Sequence, residues 1–128
     1  AKKYPENIIN LQVLGRVQTY RRKYAASEKT LKGILEVDPK NERAHYYLAR
    51  LYLRWKKIDL AQQHMDTYLA FDLSKLHRGY ALAIQGKIYS RLGDWSAAEK
   101  AYRASYKATK KDSAKALANR AAEKAKAE

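Results

Sequence analysis

The sequence predicts an all-α protein of stacked antiparallel helix pairs, about seven helices in all. Three observations carry that expectation. Small residues recur in mid-helix at Gly15, Ala49 and Gly86, at intervals of 34 and 37 residues. The same two intervals separate Tyr24, Ile58 and Trp95, and again Ser27, Ala61 and Ala98. Within each unit the apolar residues recur at helical spacing. Several positions sharing one register mark a repeat, so all 128 residues are expected to form one domain. Its repeats fall near 8–41, 42–75 and 79–111, followed by a closing helix near 112–127. The longer second interval places a three-residue insertion in the Leu73–Tyr80 connection.

The elements follow in order. Pro5 suits a helix start, because its missing N–H would have no helical partner there. Ile8, Leu11, Leu14 and Gly15 begin the first unit, and Asp38-Pro39 ends it, since Pro cannot continue a helix. In the middle unit Ala44, His45, Leu48, Ala49 and Tyr52 form one stripe. After a break at Lys56-Lys57, Ile58, Ala61, Met65, Tyr68 and Leu69 form a second. The third unit turns at Gly93-Asp94, where Gly can take positive φ. Asp112-Ser113 read as helix N-caps, and Ala114, Leu117, Ala118, Ala121 and Ala125 give the last helix one narrow apolar face. A repeat stack needs such a closing helix. The opposite end has no equivalent, which leaves the face near Ile8 and Ile9 exposed or covered by another domain.

Small residues at the crossing points let paired helices approach closely. The pattern resembles the tetratricopeptide repeat. In the first unit the residues matching its signature are Leu11, Leu14, Gly15, Tyr24, Leu31 and Pro39, with Gln18 where Tyr is usual. The second offers Leu48, Ala49, Tyr52 and Ala61, and the third Gly86, Tyr89, Gly93, Ala98 and Tyr102. Leu73 and Lys110 replace the closing Pro of units two and three. The resemblance covers residues 8–111 and implies a right-handed superhelix that serves as a protein–protein adaptor.

Composition narrows the function classes. Hydrophobic residues make up 46%, enough for a core, and no apolar run is long enough to span a membrane. There are no Cys residues, which removes disulfides and thiolate metal sites. The start, Ala1-Lys2-Lys3-Tyr4-Pro5, has neither an initiator Met nor a hydrophobic signal region, and reads as a processed or excised piece. The sequence does not fix the compartment; the cytoplasm is favoured over the periplasm, which would fit a processed start. No Gly-rich phosphate loop is present, and His45, His64 and His77 lack metal-ligand spacing. His45 lies on a core stripe and reads as a packing residue. No catalytic residue, cofactor or metal is therefore expected, and the chain reads as non-enzymatic.

Charge is the unusual feature: 27 Lys and Arg against 13 Asp and Glu give +14, spread along the chain. Such a field favours an acidic protein, an acidic lipid surface or nucleic acid, although a merely basic soluble protein would show it too. In stacked helix pairs the first helices of all units build the concave surface. Each residue advances about 100° around a helix. Taking Gly15, Ala49 and Gly86 as position eight puts positions four, seven, eight and eleven on the core side. Positions two, five, nine, twelve and thirteen then face the groove. Position nine holds Arg16, Arg50 and Lys87; position thirteen holds Tyr20, Arg54 and Arg91. Position two holds Ile9, Arg43 and Tyr80, while position five holds Gln12, Tyr46 and Ala83.

The expected groove is therefore basic, with Arg16, Arg43, Arg50, Arg54, Lys87 and Arg91 interleaved with Tyr20, Tyr46 and Tyr80. Arg forks suit bidentate capture of carboxylate or phosphate, and Tyr gives rigid contact area. A solvated face in a basic protein is the plain alternative. Some tetratricopeptide proteins clamp a chaperone's C-terminal carboxylate with Lys and Asn on the first helix, then a further Asn. Gln12 and Arg16 occupy the first-helix places here and no Asn lines the second groove helix, which argues against that clamp. The leading expectation is an adaptor holding an acidic segment or C-terminal peptide of a protein partner. Single-stranded RNA in the same groove is a second reading. A third is a structural fragment of a larger repeat protein, packed on other domains or a second copy.

Overall fold

The computed structural model describes residues 6–127, so Pro5 and the residues before it lie outside. Seven helices follow one another: α1 Glu6–Tyr20, α2 Tyr24–Val37, α3 Glu42–Arg54, α4 Ile58–Leu69, α5 Lys75–Leu92, α6 Trp95–Thr109 and α7 Asp112–Lys126. There is no strand among the described residues. The helices gather into two compact units, one ending at Tyr68 and the next beginning at Leu69. In the first, α1 packs on α2 and α3; in the second, α6 packs between α5 and α7.

The turn inside each helix pair has one geometry. Arg22, Lys56 and Gly93 share position fifteen and all adopt positive φ, at 61°, 63° and 79°. The following N–H groups reach back to seal the helix end: Lys23 to Gln18 O at 2.8 Å, Lys57 to Tyr52 O at 2.8 Å, Asp94 to Tyr89 O at 3.0 Å. This left-handed closure satisfies carbonyls that a helix end otherwise orphans. Glycine takes it freely, whereas Arg22 and Lys56 carry a Cβ penalty.

The small residue at position eight marks where two helices cross. A Cβ on Gly15 would lie 2.5 Å from Leu31 Cδ2, and one on Gly86 would lie 2.5 Å from Tyr102 Cε1. Leu31 and Tyr102 both stand sixteen residues later, where the middle repeat has Met65. The unbranched Met is the more adaptable neighbour for a methyl group, consistent with Ala49 at position eight there. Gly15 O also lies within hydrogen-bond distance of Ser27 Oγ, at 2.8 Å, and of Thr19 Oγ1, at 3.0 Å. The Thr19 and Ser27 hydroxyl oxygens stand 2.7 Å apart; their two protons form two of these three bonds at a time, which ties α1 to α2.

The three extra residues of the second interval are helical rather than a loop. In repeat register α5 starts one turn before α3, and Ser74 caps that turn by accepting from His77 N at 3.1 Å. Asn41 caps α3 through Ala44 N at 2.9 Å, and Asp94 caps α6 through Ala97 N at 3.2 Å. At α7 the expected cap is not formed: Lys111 holds the N-cap position without a side-chain bond. Lys110, at φ 59°, ends α6 and feeds the next helix immediately. Asp112 thus falls in the first turn of α7, where a carboxylate favours the helix dipole.

The expected closing face of α7 is buried at Ala114, Ala118 and Ala121, and Ala118 and Ala121 cluster with Ala98 and Tyr102 of α6. On α1 the burial differs from expectation. Ile8 is buried, but Leu14 is 45% exposed, and Ile9, Val13 and Val17 are exposed with it. In α3 the residues in the register of Leu14 and Val17, Leu48 and Leu51, are fully buried. α1 uses only the side turned towards α2 and α3, through Ile8, Gly15 and Thr19.

Candidate functional site

On the first unit, α1 and α3 present a face where each of three Arg residues lies over a Tyr ring. Arg16 Cζ is 5.3 Å from the centre of Tyr47, Arg50 Cζ is 5.7 Å from Tyr46, and Arg54 Cζ is 4.9 Å from Tyr20. Arg50 Nη2 also donates to Tyr20 Oη at 3.4 Å. Arg16, Thr19, Tyr20, Tyr47, Arg50 and Arg54 line one hollow. A guanidinium stacked on a ring keeps its N–H edge free for an anion, and the stacking removes rotamer freedom before any ligand arrives.

The cations on this face form no ion pair with a carboxylate among the described residues. Among the described residues the ion pairs are Lys32–Glu28, Arg103–Glu99 and Lys126–Glu123, all on other surfaces of the helices. Tyr46 is wedged against Tyr47 and Tyr68, with ring centres 5.7 and 4.9 Å away. Burial pushes its phenol above the ordinary tyrosine value, while Arg50 and Arg16 pull it back. It stays neutral at physiological pH and serves as a ring platform.

The remaining expected groove residues lie apart from this hollow. Arg43 borders a second hollow on the same unit, with Ile8, Ile9, Gln12, Lys40, Asn41 and Glu42. Tyr80, Lys87 and Arg91 belong to α5 in the second unit. There Lys111 Nζ, from the loop before α7, lies 4.7 Å from the centre of the Tyr80 ring. Lys87 and Arg91 are exposed, and no ring lies under either among the described residues.

A tetratricopeptide-repeat family model matches residues 20–87, more than half of the chain. The chain belongs to the tetratricopeptide-repeat family. Its fold is similar to that of PcrH in complex with the chaperone-binding region of PopB, with a TM-score of 0.73 and 18% identity over 97% of this chain and 99% of that one. PcrH from Pseudomonas aeruginosa gives a TM-score of 0.73 and 19% identity, covering 98% of this chain and 95% of its own. No curated protein matches the sequence.

Two site residues of this tetratricopeptide-repeat protein escape the angular reading, for one reason. Position twelve lies only about 40° from position eight, so Thr19 turns inward and bonds to Ser27. Position six lies about 20° beyond position thirteen, which brings Tyr47 under Arg16. Rotating the groove window by a few tens of degrees would have found Tyr47 and dropped Thr19 from the wall.

His45 is not an isolated packing residue. Its Nδ1 is 3.1 Å from His64 Nδ1 on α4, and the rings lie 5.3 Å apart. One ring must donate and the other accept, so the bond exists only while at least one is neutral. Burial lowers the pKa of both; for His64, burial first, then His45 and Lys32, bring it to about 4. Tyr52 stacks on His64 at 5.5 Å and donates to Glu28 Oε2 at 2.7 Å. Among the described residues no three His, Asp or Glu side chains come together as a metal site. No helix of the structure is long and apolar enough to cross a membrane.

Proposed function

We propose that this tetratricopeptide-repeat protein is a non-enzymatic adaptor that holds an acidic segment or C-terminal peptide of a partner protein against the basic, Tyr-bearing face of α1 and α3. The observation that carries the reading is the set of three guanidiniums, Arg16, Arg50 and Arg54, set over Tyr47, Tyr46 and Tyr20 and in no ion pair among the described residues. Charges held ready and left uncompensated favour a ligand that brings the opposite sign. PcrH, which shares the fold, is seen with a region of another protein, PopB, bound to it. That precedent supports a peptide-sized partner.

Affinity capture from cell extract tests the reading, using wild type and an Arg16→Glu/Arg50→Glu/Arg54→Glu variant, each with and without nuclease. Proteins retained by wild type alone and indifferent to nuclease are the expected result. Loss of the captured material on nuclease treatment would instead indicate nucleic acid. Equal retention by the variant would reduce the basic face to a solvated surface.

A further inference from the structure

We infer that the acidic segment is read by the first unit alone, as an extended stretch of about five residues with carboxylates at alternate positions. This rests on the adaptor reading and names its ligand more closely. Arg50 and Arg54 stand one helical turn apart on α3, roughly 6 Å along the axis. In an extended chain residues i and i+2 project to one side and lie roughly 6.6 Å apart. Carboxylates two residues apart therefore meet Arg50 and Arg54 in turn, whereas neighbouring ones point to opposite sides. Arg16, on α1, flanks the same hollow from the other wall.

Length follows from the helices. The face runs from Ile9, beside the second hollow, to Tyr20, beside the first, about 16 Å of helix. That length accommodates about five extended residues. The two ends differ in chemistry. At the Arg end every charged lining residue is a cation, while the Ile9 end sets two Ile side chains beside Lys40, Arg43 and Glu42. An apolar residue of the segment fits there, and its carboxylates fit at the Arg end.

Among the described residues the second unit lacks this device. Arg91 takes the register of Arg54, and Lys87 that of Arg50, but among the described residues neither lies over a ring as Arg50 and Arg54 do. Tyr80 is already occupied by Lys111 at 4.7 Å. A cation with no ring platform loses more side-chain entropy on binding and contributes less.

The test uses the full chain and two blocked, fluorescently labelled hexapeptides of equal charge, followed by anisotropy. One carries two Glu separated by Ser and a Leu three residues away; the other carries the two Glu side by side. The alternate peptide is expected to bind about tenfold tighter, the equivalent of one charge-assisted hydrogen-bond set. Arg50→Gln and Arg54→Gln should each erase that preference, while Lys87→Gln/Arg91→Gln leaves affinity within about twofold. Equal binding of the two peptides, or an equal loss from the Lys87/Arg91 variant, overturns the inference. If neither peptide binds but extract capture still depends on Arg16 and Arg50, this inference fails and the adaptor reading stands. If capture is also indifferent to those residues, both fall.

Discussion

Transplanting the middle repeat's crossing pair into the first repeat makes the helix-crossing argument quantitative. In Gly15→Ala the new methyl sits 2.5 Å from Leu31 Cδ2 and 2.8 Å from Cγ, whereas carbon atoms rest at ~3.5–4.0 Å. Leu31 is fully buried, and Cγ is a branch atom that cannot swing away alone. Overpacking of this kind costs about 1–3 kcal/mol, while replacing Gly by Ala inside a helix returns about 1 kcal/mol. The net loss is about 1 kcal/mol, or a fall in Tm of roughly 4 °C. Adding Leu31→Met, which supplies the partner that faces Ala49 by register, should relieve the contact and keep the helical gain. Urea unfolding followed by far-UV circular dichroism on both single variants and the double gives the coupling, expected at about 1–2 kcal/mol. If Gly15→Ala alone raises Tm and shows no coupling to Leu31→Met, the close crossing is wrong.

Other outcomes follow from the same geometry. Lys56→Gly should stabilise by up to about 1 kcal/mol in the same unfolding assay, because φ 63° costs Lys what it does not cost Gly. Asn41→Ala should lose about 1 kcal/mol, since Ala44 N and Gln12 Nε2 both bond to Asn41 Oδ1. His64 binds its proton less readily folded than unfolded, so between about pH 6.5 and 4 the unfolded chain takes up more protons. Stability is therefore full above that window and falls as pH drops through it, with Lys32 and His45 opposing the charge; His64→Gln should flatten the change in a pH series of melts.

Much of the fold was legible because close helix crossings leave letters in the chain. Gly15, Ala49 and Gly86 are small for a steric reason, so their register survives. The left-handed turns at Arg22 and Lys56 left no such letter, because only Gly93 uses the residue that announces the geometry. The additional turn of α5 is indistinguishable from a longer connection in the sequence, since an insertion changes an interval without saying whether it is helical. Leu14, at position seven, falls on the core side by angle, yet α1 packs only on the side facing α2 and α3, which leaves Leu14 exposed. The cations of the face were accessible from angle alone; their seating on Tyr47, Tyr46 and Tyr20 depends on how α1 and α3 lie against each other. The His45–His64 contact joins two helices across nineteen positions and has no sequence signature.

The most direct test is calorimetric titration of the alternate-Glu peptide into wild type and an Arg50→Glu/Arg54→Glu variant, with far-UV circular dichroism on both. Binding to wild type, its loss in the variant, and unchanged helicity would bear out an acidic segment held by the α1–α3 face. Undiminished binding in a fully folded variant would contradict it.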